Sequence, residues 1–221
     1  MKTIKAQVII CGASLGGTLA AYSAVREGKK TVLLEGTKWI GGQLTSQAVP
    51  PDEHLWIEEQ GCTRSYRNYR NTVRSYYRNL EGYDHDKIND KSFCPADSEV
   101  SFIAHPPKLA LSILTDMLAP YVESGLLTVY TEAKLKDCSV EGDEILGVVY
   151  EIDGEDVRFE GDYYLDGTDI GDLICISGTE YRVGAESKAE TGEDDAPEVG
   201  NSDDMQSYIF TACIENRKEG D

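Results

Sequence analysis

Six residues, Gly12-Ala13-Ser14-Leu15-Gly16-Gly17, separate an apolar run from a stretch rich in Ala and Leu, and Glu35 closes the next apolar run. That spacing suits the binding of a doubly phosphorylated dinucleotide. Glycine at 12 permits a tight turn, and the unpaired N–H groups of the following helix start point at a pyrophosphate. Glycine at 17 lets helix and strand pack closely. A carboxylate at Glu35 accepts hydrogen bonds from ribose hydroxyls and disfavours a 2′-phosphate, which makes NADP the poorest fit. Ser14 stands where the fingerprint has its middle glycine. It adds a Cβ at the point of closest approach, but also a hydroxyl able to donate to phosphate oxygen. The competing reading is a structural turn in some other α/β protein.

Two further segments bear on which dinucleotide it is. Gly41-Gly42-Gln43-Leu44-Thr45 lies just past the carboxylate, where a chain running beneath an extended cofactor needs glycine. An ordinary glycine turn is the alternative there. Asp166-Gly167-Thr168-Asp169-Ile170-Gly171-Asp172-Leu173 follows a buried strand. A strand end leading into a helix start suits phosphate and ribityl hydroxyls, although carboxylates also cap helices for stability alone. An NAD-binding dehydrogenase domain needs neither segment, so together they favour flavin adenine dinucleotide (FAD). A non-catalytic nucleotide-binding module is the third reading.

Residues for catalysis are few. His105, ahead of Pro106, is a candidate acid or base near a reactive ring; a structural histidine at a helix start is the plainer account. Arg64, Arg67, Arg70, Arg74 and Arg78 form a stripe that either grips an anionic substrate or is simply a solvated face. Cys62 and Cys94 have no activating partner in view and read as inert thiols.

The elements that must position these residues follow from periodicity. Ala6–Cys11 and Thr31–Leu34 read as short buried strands, with a helix from Leu15 to Arg26 between them. Strand, turn, helix and strand make a right-handed βαβ unit. Residues 36–60 are irregular, and Arg64–Leu80 is a two-faced helix with Tyr66, Tyr69, Val73, Tyr77 and Leu80 beside the arginines. A loop is expected over 81–98. A helix opened by Pro106-Pro107 runs to about Glu123, with a kink or early end at Pro120. Leu126–Tyr130 is a third buried strand, strands near 133–140, 145–152 and 156–161 form a meander, and Tyr163–Leu165 returns to the main sheet. The fold class expected is α/β: a Rossmann-like parallel sheet with an inserted antiparallel β-meander and a partial helical insertion. Residues 1–50 and 100–185 would form the nucleotide-binding domain, 51–99 the insertion, and 186–221 the acidic start of a truncated substrate or cap region.

Composition narrows the partners. With 40 acidic against 21 basic residues in 221, the net charge of -19 repels nucleic-acid backbones and anionic membranes, leaving a small-molecule substrate. The first apolar run is too short for a signal peptide, and no segment nears the roughly 20 apolar residues of a membrane span. Six cysteines without a CxxC pair are expected to be reduced thiols of a cytoplasmic protein, with no metal-ligand spacing.

Taken together, CGASLGGTLAAYSAVREGKKTVLLE, IGGQLTSQAVPPDEHLWIE, GCTRSYRNYRNTVRSYYRN, HPPKLAL, and LDGTDIGDL with the later YRVGAESKAETGEDDAP resemble a known family. It is the FAD-dependent oxidoreductases with a glutathione-reductase-type FAD fold, including bacterial members labelled xanthan-lyase-like. The resemblance implies that Gly12, Ala13, Ser14, Leu15, Gly16 and Gly17 hold the pyrophosphate and Glu35 the adenosine ribose. It implies that Gly41, Gly42, Gln43, Leu44 and Thr45 run beside the cofactor. Ala133 and Lys134 would meet adenine through backbone groups, and Thr168, Asp169, Gly171 and Asp172 would approach the ribityl-phosphate, with Asp172 foremost. Family members are commonly more than twice this length, so the chain is expected to be the front part of such an enzyme. The implied chemistry is hydride transfer between an organic substrate and FAD.

Overall fold

The alternating destinations of one strand's side chains explain the layering. Val8–Cys11 forms β2, and its four residues are all buried, as are those of β3, Thr31–Leu34. Val8 and Ile10 face one apolar cluster with Leu33, Val25 and Leu114, whereas Ile9 and Cys11 face a second with Val32, Leu34, Val148 and Phe159. A strand buried on both faces needs an apolar residue at every position, hence the unbroken run Val-Ile-Ile-Cys. The computed structural model describes residues 1–80, 90, 93–95, 98, 101–208 and 211. The loop expected over 81–98 falls mostly outside them, as does Cys213; the other five cysteines are free thiols.

In chain order, β1 (Lys2–Lys5) and β2 precede α1 (Leu15–Arg26) and β3. A short 3-10 turn (Gly42–Leu44), α2 (Arg64–Arg78), α3 (Pro107–Glu123) and β4 (Leu127–Tyr130) come next. The meander β5 (Lys134–Glu141), β6 (Glu144–Ile152) and β7 (Glu155–Glu160) leads to β8 (Tyr163–Asp166), α4 (Asp172–Ser177) and α5 (Lys188–Thr191). The main sheet is parallel in the order β4-β3-β2-β8, and the second sheet has the order β1-β7-β6-β5. The expected α/β architecture, with a parallel sheet and an antiparallel meander, is what the chain forms. Helices α1, α2 and α3 cover one face of the parallel sheet and the meander covers the other. Tyr69, Val73 and Tyr77 of α2 belong to the same core cluster as Ile10 and Leu118, so the helical segment packs into the main core.

Two local features differ from expectation. Lys2–Lys5 is a strand of its own, pairing in parallel with β7 at Thr3↔Arg158, while the chain crosses at Ala6-Gln7 into the other sheet. Helix α3 does not end early at Pro120 but continues to Glu123, and Ser124 N–H closes it on the Pro120 carbonyl at 3.1 Å. Proline removes the bond to the Asp116 carbonyl. Both residues are exposed, where water takes over. Past Glu186 the described chain is mostly exposed and irregular apart from the single turn of α5.

Candidate cofactor site

The first glycine turn and the turn after β8 meet because β2 and β8 are neighbours, with Cys11 opposite Asp166. Gly167 N–H donates to Cys11 O at 2.7 Å, and Ser14 N–H returns to Gly167 O at 3.2 Å. Gly12 has φ +90 and lies against the Thr168 backbone, and a Cβ on Gly17 would stand 2.0 Å from Gly12 O. Three glycine backbones, 12, 17 and 167, thus occupy space that no side chain can share.

Ser14 caps α1: its hydroxyl oxygen accepts from Gly17 N–H at 3.3 Å, which leaves the hydroxyl proton for an outside acceptor. Among the described residues, the Leu15 and Gly16 N–H groups have no hydrogen-bond partner. They are the orphan donors of a helix start, next to Ser14, which lines the cleft. Glu35 is 8% exposed and is held by backbone on both sides. Its Oε2 accepts from Ala13 N–H at 2.8 Å and its Oε1 from Thr37 N–H at 2.8 Å. Each oxygen keeps a second acceptor site for a hydroxyl donor. Ala133 N–H is taken by the Glu35 carbonyl at 2.9 Å, so Ala133 has only its own carbonyl to offer a base.

Gly41 adopts φ +100 and donates to Ala13 O at 2.7 Å, which pins the Gly41–Thr45 segment to the first glycine turn. A Cβ on Gly42 would meet Ser14 Cα at 2.9 Å and Asp169 Oδ1 at 3.1 Å, so Gly42 sits where the two turns converge. Thr45 is buried and its hydroxyl donates to Ile40 O at 2.6 Å; the Gln43 carbonyl accepts from Val49 N–H at 2.9 Å. These bonds fix the backbone beside the cleft and leave Leu44 in the core beneath it.

The organiser of the second turn is Asp166, which sequence reasoning placed at the strand end without a role. Its Oδ1 accepts from Thr168 N–H at 2.9 Å and Thr168 Oγ1 at 2.7 Å, and its Oδ2 accepts from Ile174 N–H at 2.9 Å. Thr168 Oγ1 in turn accepts from Asp172 N–H at 2.8 Å. The order Asp-Gly-Thr at a strand end is the signal that points to this side-chain turn.

Two adjoining cavities make the cleft. One of about 280 Å³ is lined by Ser14, Glu35, Thr37, Asp169 and Asp172; the other, about 380 Å³, by Leu34, Ala133, Lys134, Tyr150 and Ile176. They share Gly12, Gly36, Thr168 and Asp172. Partial burial and the neighbouring Glu35 and Asp172 raise the pKa of the Asp169 carboxyl, against a hydrogen bond from Gln47 that lowers it. The cleft therefore offers backbone donors at one point and carboxylate acceptors around it, a pattern for phosphates flanked by hydroxyl-bearing sugars.

The remaining candidates lie elsewhere. His105 borders a separate cavity of about 300 Å³. Its Nδ1 donates to Ile103 O at 2.5 Å, so Nε2 of the neutral ring accepts the Tyr69 hydroxyl proton at 2.6 Å; burial lowers its pKa. Both ring nitrogens are engaged within the protein. The arginine stripe is neither a solvated face nor an open anion site at its centre, because Arg70 and Arg74 are 0% and 5% exposed. Arg70 pairs with Glu53 and Glu58, Arg74 holds Glu58 through Nη1 at 2.8 Å, and Arg67 donates to Ile57 O. Burial, with Arg74 alongside, pushes Arg70 down to about 10. The two glutamates lie in a segment that folds over α2, and nothing in the helix periodicity announces them.

Residues 7–221 match the family model described as FAD dependent oxidoreductase. The chain belongs to the FAD-dependent oxidoreductase family. No curated protein matches the sequence. Among solved structures, a geranylgeranyl bacteriochlorophyll reductase-like protein from Thermoplasma acidophilum is 14% identical, with 80% of this chain and 43% of that one covered and a TM-score of 0.48. Mycobacterium smegmatis Sdh1 in complex with UQ1 is 12% identical over 86% and 35% of the two chains, with a TM-score of 0.49. The E. coli quinol fumarate reductase subunit FrdA is 13% identical over 84% and 35%, with a TM-score of 0.43. The chain thus spans less than half the length of each. The chemistry of the cleft fits the cofactor that the family description names. Two orphan N–H groups, the Ser14 hydroxyl and a fixed buried carboxylate at Glu35 are the groups that a pyrophosphate and a ribose require. Among the described residues no helix is long and apolar enough to cross a membrane.

Proposed function

We propose that this chain is the FAD-binding part of an oxidoreductase that exchanges a hydride between FAD and a small organic molecule. The observation that carries the reading is the junction of the two turns at Gly12, Gly167 and Thr168, which puts both halves of the cleft within reach of one ligand. In this reading the Leu15 and Gly16 N–H groups and the Ser14 hydroxyl bind the pyrophosphate. Glu35 takes the adenosine ribose hydroxyls, and the Ala133 carbonyl and Lys134 lie toward the adenine. Asp169, Gly171 and Asp172 lie toward the ribityl chain, the carboxylates accepting its hydroxyls.

The flavin supplies the hydride chemistry when bound, and the protein binds, orients and shields it. Asp166 acts one step back, by holding Thr168, Asp172 and Ile174 in place. The test is purification of the chain followed by its absorbance spectrum and chromatographic identification of any released nucleotide. A yellow protein releasing FAD supports the proposal. A colourless protein that takes up NAD and not FAD overturns it in favour of a nicotinamide-binding domain, and uptake of neither favours a non-catalytic module.

A further inference from the structure

The cavity beside His105 has Leu44 of the Gly41–Thr45 segment in its wall, and Gly42 of the same segment stands against Ser14 and Asp169 of the cleft. The cavity's surroundings are of a different kind. Leu44, Val49, Pro51, Tyr77, Ala104 and Pro107 enclose about 300 Å³, and no charged residue is among the described lining. Proline-rich walls hold their shape at little entropic cost. Ala48, also on the wall, is held at φ +55, a left-handed conformation that alanine adopts only when its surroundings impose it.

His105, the one histidine among the described lining, is neutral. His105 has Nδ1–H on the Ile103 carbonyl and Nε2 under the Tyr69 hydroxyl, and burial disfavours its cation. Arg70 and Arg74 are bound by Glu53 and Glu58 and do not border it. Among the described lining no charged side chain meets an entering anion, which would shed water to face mostly apolar walls, whereas apolar surface is rewarded at about 25 cal/mol per Å².

We infer that this cavity is the binding site for a neutral molecule with an apolar, ring-sized body, and that it excludes carboxylates and phosphates. Its identification as the place where substrate meets the cofactor rests on the FAD reading above, but the cavity's own selectivity does not.

Two probes of one shape separate the possibilities: 2-naphthol, neutral at pH 7, and the 2-naphthoate anion. Binding to the purified chain is measured by calorimetry, with His105 ring signals followed by NMR and assigned against His105→Gln. Naphthol is expected to bind at least ten times tighter than naphthoate, to shift His105 and leave His54 unmoved, and to lose at least tenfold affinity in Val49→Trp. Equal or tighter binding of naphthoate, or naphthol binding that leaves His105 unshifted, overturns the inference. If Val49→Trp does not fold, the His105 signals of the unaltered chain decide. Flavin content is recorded in parallel: a chain without flavin that still selects naphthol at His105 refutes the FAD reading and supports the cavity's selectivity.

Discussion

Gly12 and Thr168 are packed backbone to backbone: a Cβ on Gly12 would lie 2.3 Å from the Thr168 nitrogen. The contact joins two turns from opposite ends of the fold sequence and makes one cleft of them. Replacing Gly12 by Ala forces a side chain into φ +90 and into that backbone. Gly12→Ala is expected to cost at least about 2 kcal/mol, read as a lower urea midpoint together with loss of flavin. An unshifted midpoint would contradict the packing.

Glu35 has two functions that one substitution separates from the rest of the fold. It anchors Ala13 and Thr37 and presents the remaining acceptor sites to the cleft. Glu35→Ala is expected to weaken FAD binding about 10- to 100-fold, the value of a hydrogen bond to a charged group. Fluorescence titration of the flavin measures it, and unchanged affinity removes Glu35 from the ribose site.

Arg70 and Glu53 form a pair whose side chains are 0% and 1% exposed. Breaking a buried pair leaves one charge uncompensated, so Arg70→Ala is expected to destabilise by about 3–5 kcal/mol. Arg70→Met combined with Glu53→Leu is expected to recover most of that loss, because the orphaned charge goes too. Chemical denaturation of the three proteins checks this; an Arg70→Ala effect below about 1 kcal/mol would place the pair in solvent.

Asp169 gives a pH-dependent signature. Its folded-state carboxyl titrates above 3.8, so between that value and its folded pKa the native state holds more protons than the unfolded chain. Stability therefore falls as pH rises through this window, and the cost is fully present at neutral pH. Asp169→Asn is expected to raise Tm at pH 7, with the gain shrinking to nothing below pH 3.8. A constant difference across the pH range would show that charge is not the cause.

His105 behaves oppositely. Its pKa is lowered from 6.5, so the unfolded chain takes up the proton first as pH falls, and stability is lost on the acid side of that value. Donation from the Tyr69 hydroxyl to Nε2 favours the same neutral ring. Tyr69→Phe is therefore expected to move the His105 titration upward in NMR, toward 6.5. An unmoved curve assigns the depression to burial alone.

What the sequence discloses and what it conceals follow from range. Val8–Cys11 and Thr31–Leu34 are legible because strands buried on both faces must be apolar throughout, and the glycines that end them have few other uses. The meander is legible through Glu141-Gly142-Asp143 and Asp153-Gly154, local turns that need no distant partner. Lys2–Lys5 is not legible, since its largely exposed residues become a strand only by pairing with Val157–Glu160. Nor is the burial of Arg70, which helical periodicity assigns to a charged face and which Glu53 and Glu58 draw into the interior. At the cleft the glycines and Glu35 announce themselves by type, while Asp166 does its positioning through bonds that only the assembled turn contains.

The placement of β8 beside β2 sets an order of events for the living chain. Residues 12 to 35 leave the ribosome well before residues 166 to 172, the wall they must press against. Until then β2 has an open edge and its helix start has no roof. Such long-separated pairings are slow to form. A nucleotide that touches both turns would then hold this late seam closed, so that scarcity of such a ligand during synthesis would be felt first as lost protein and only afterwards as lost turnover.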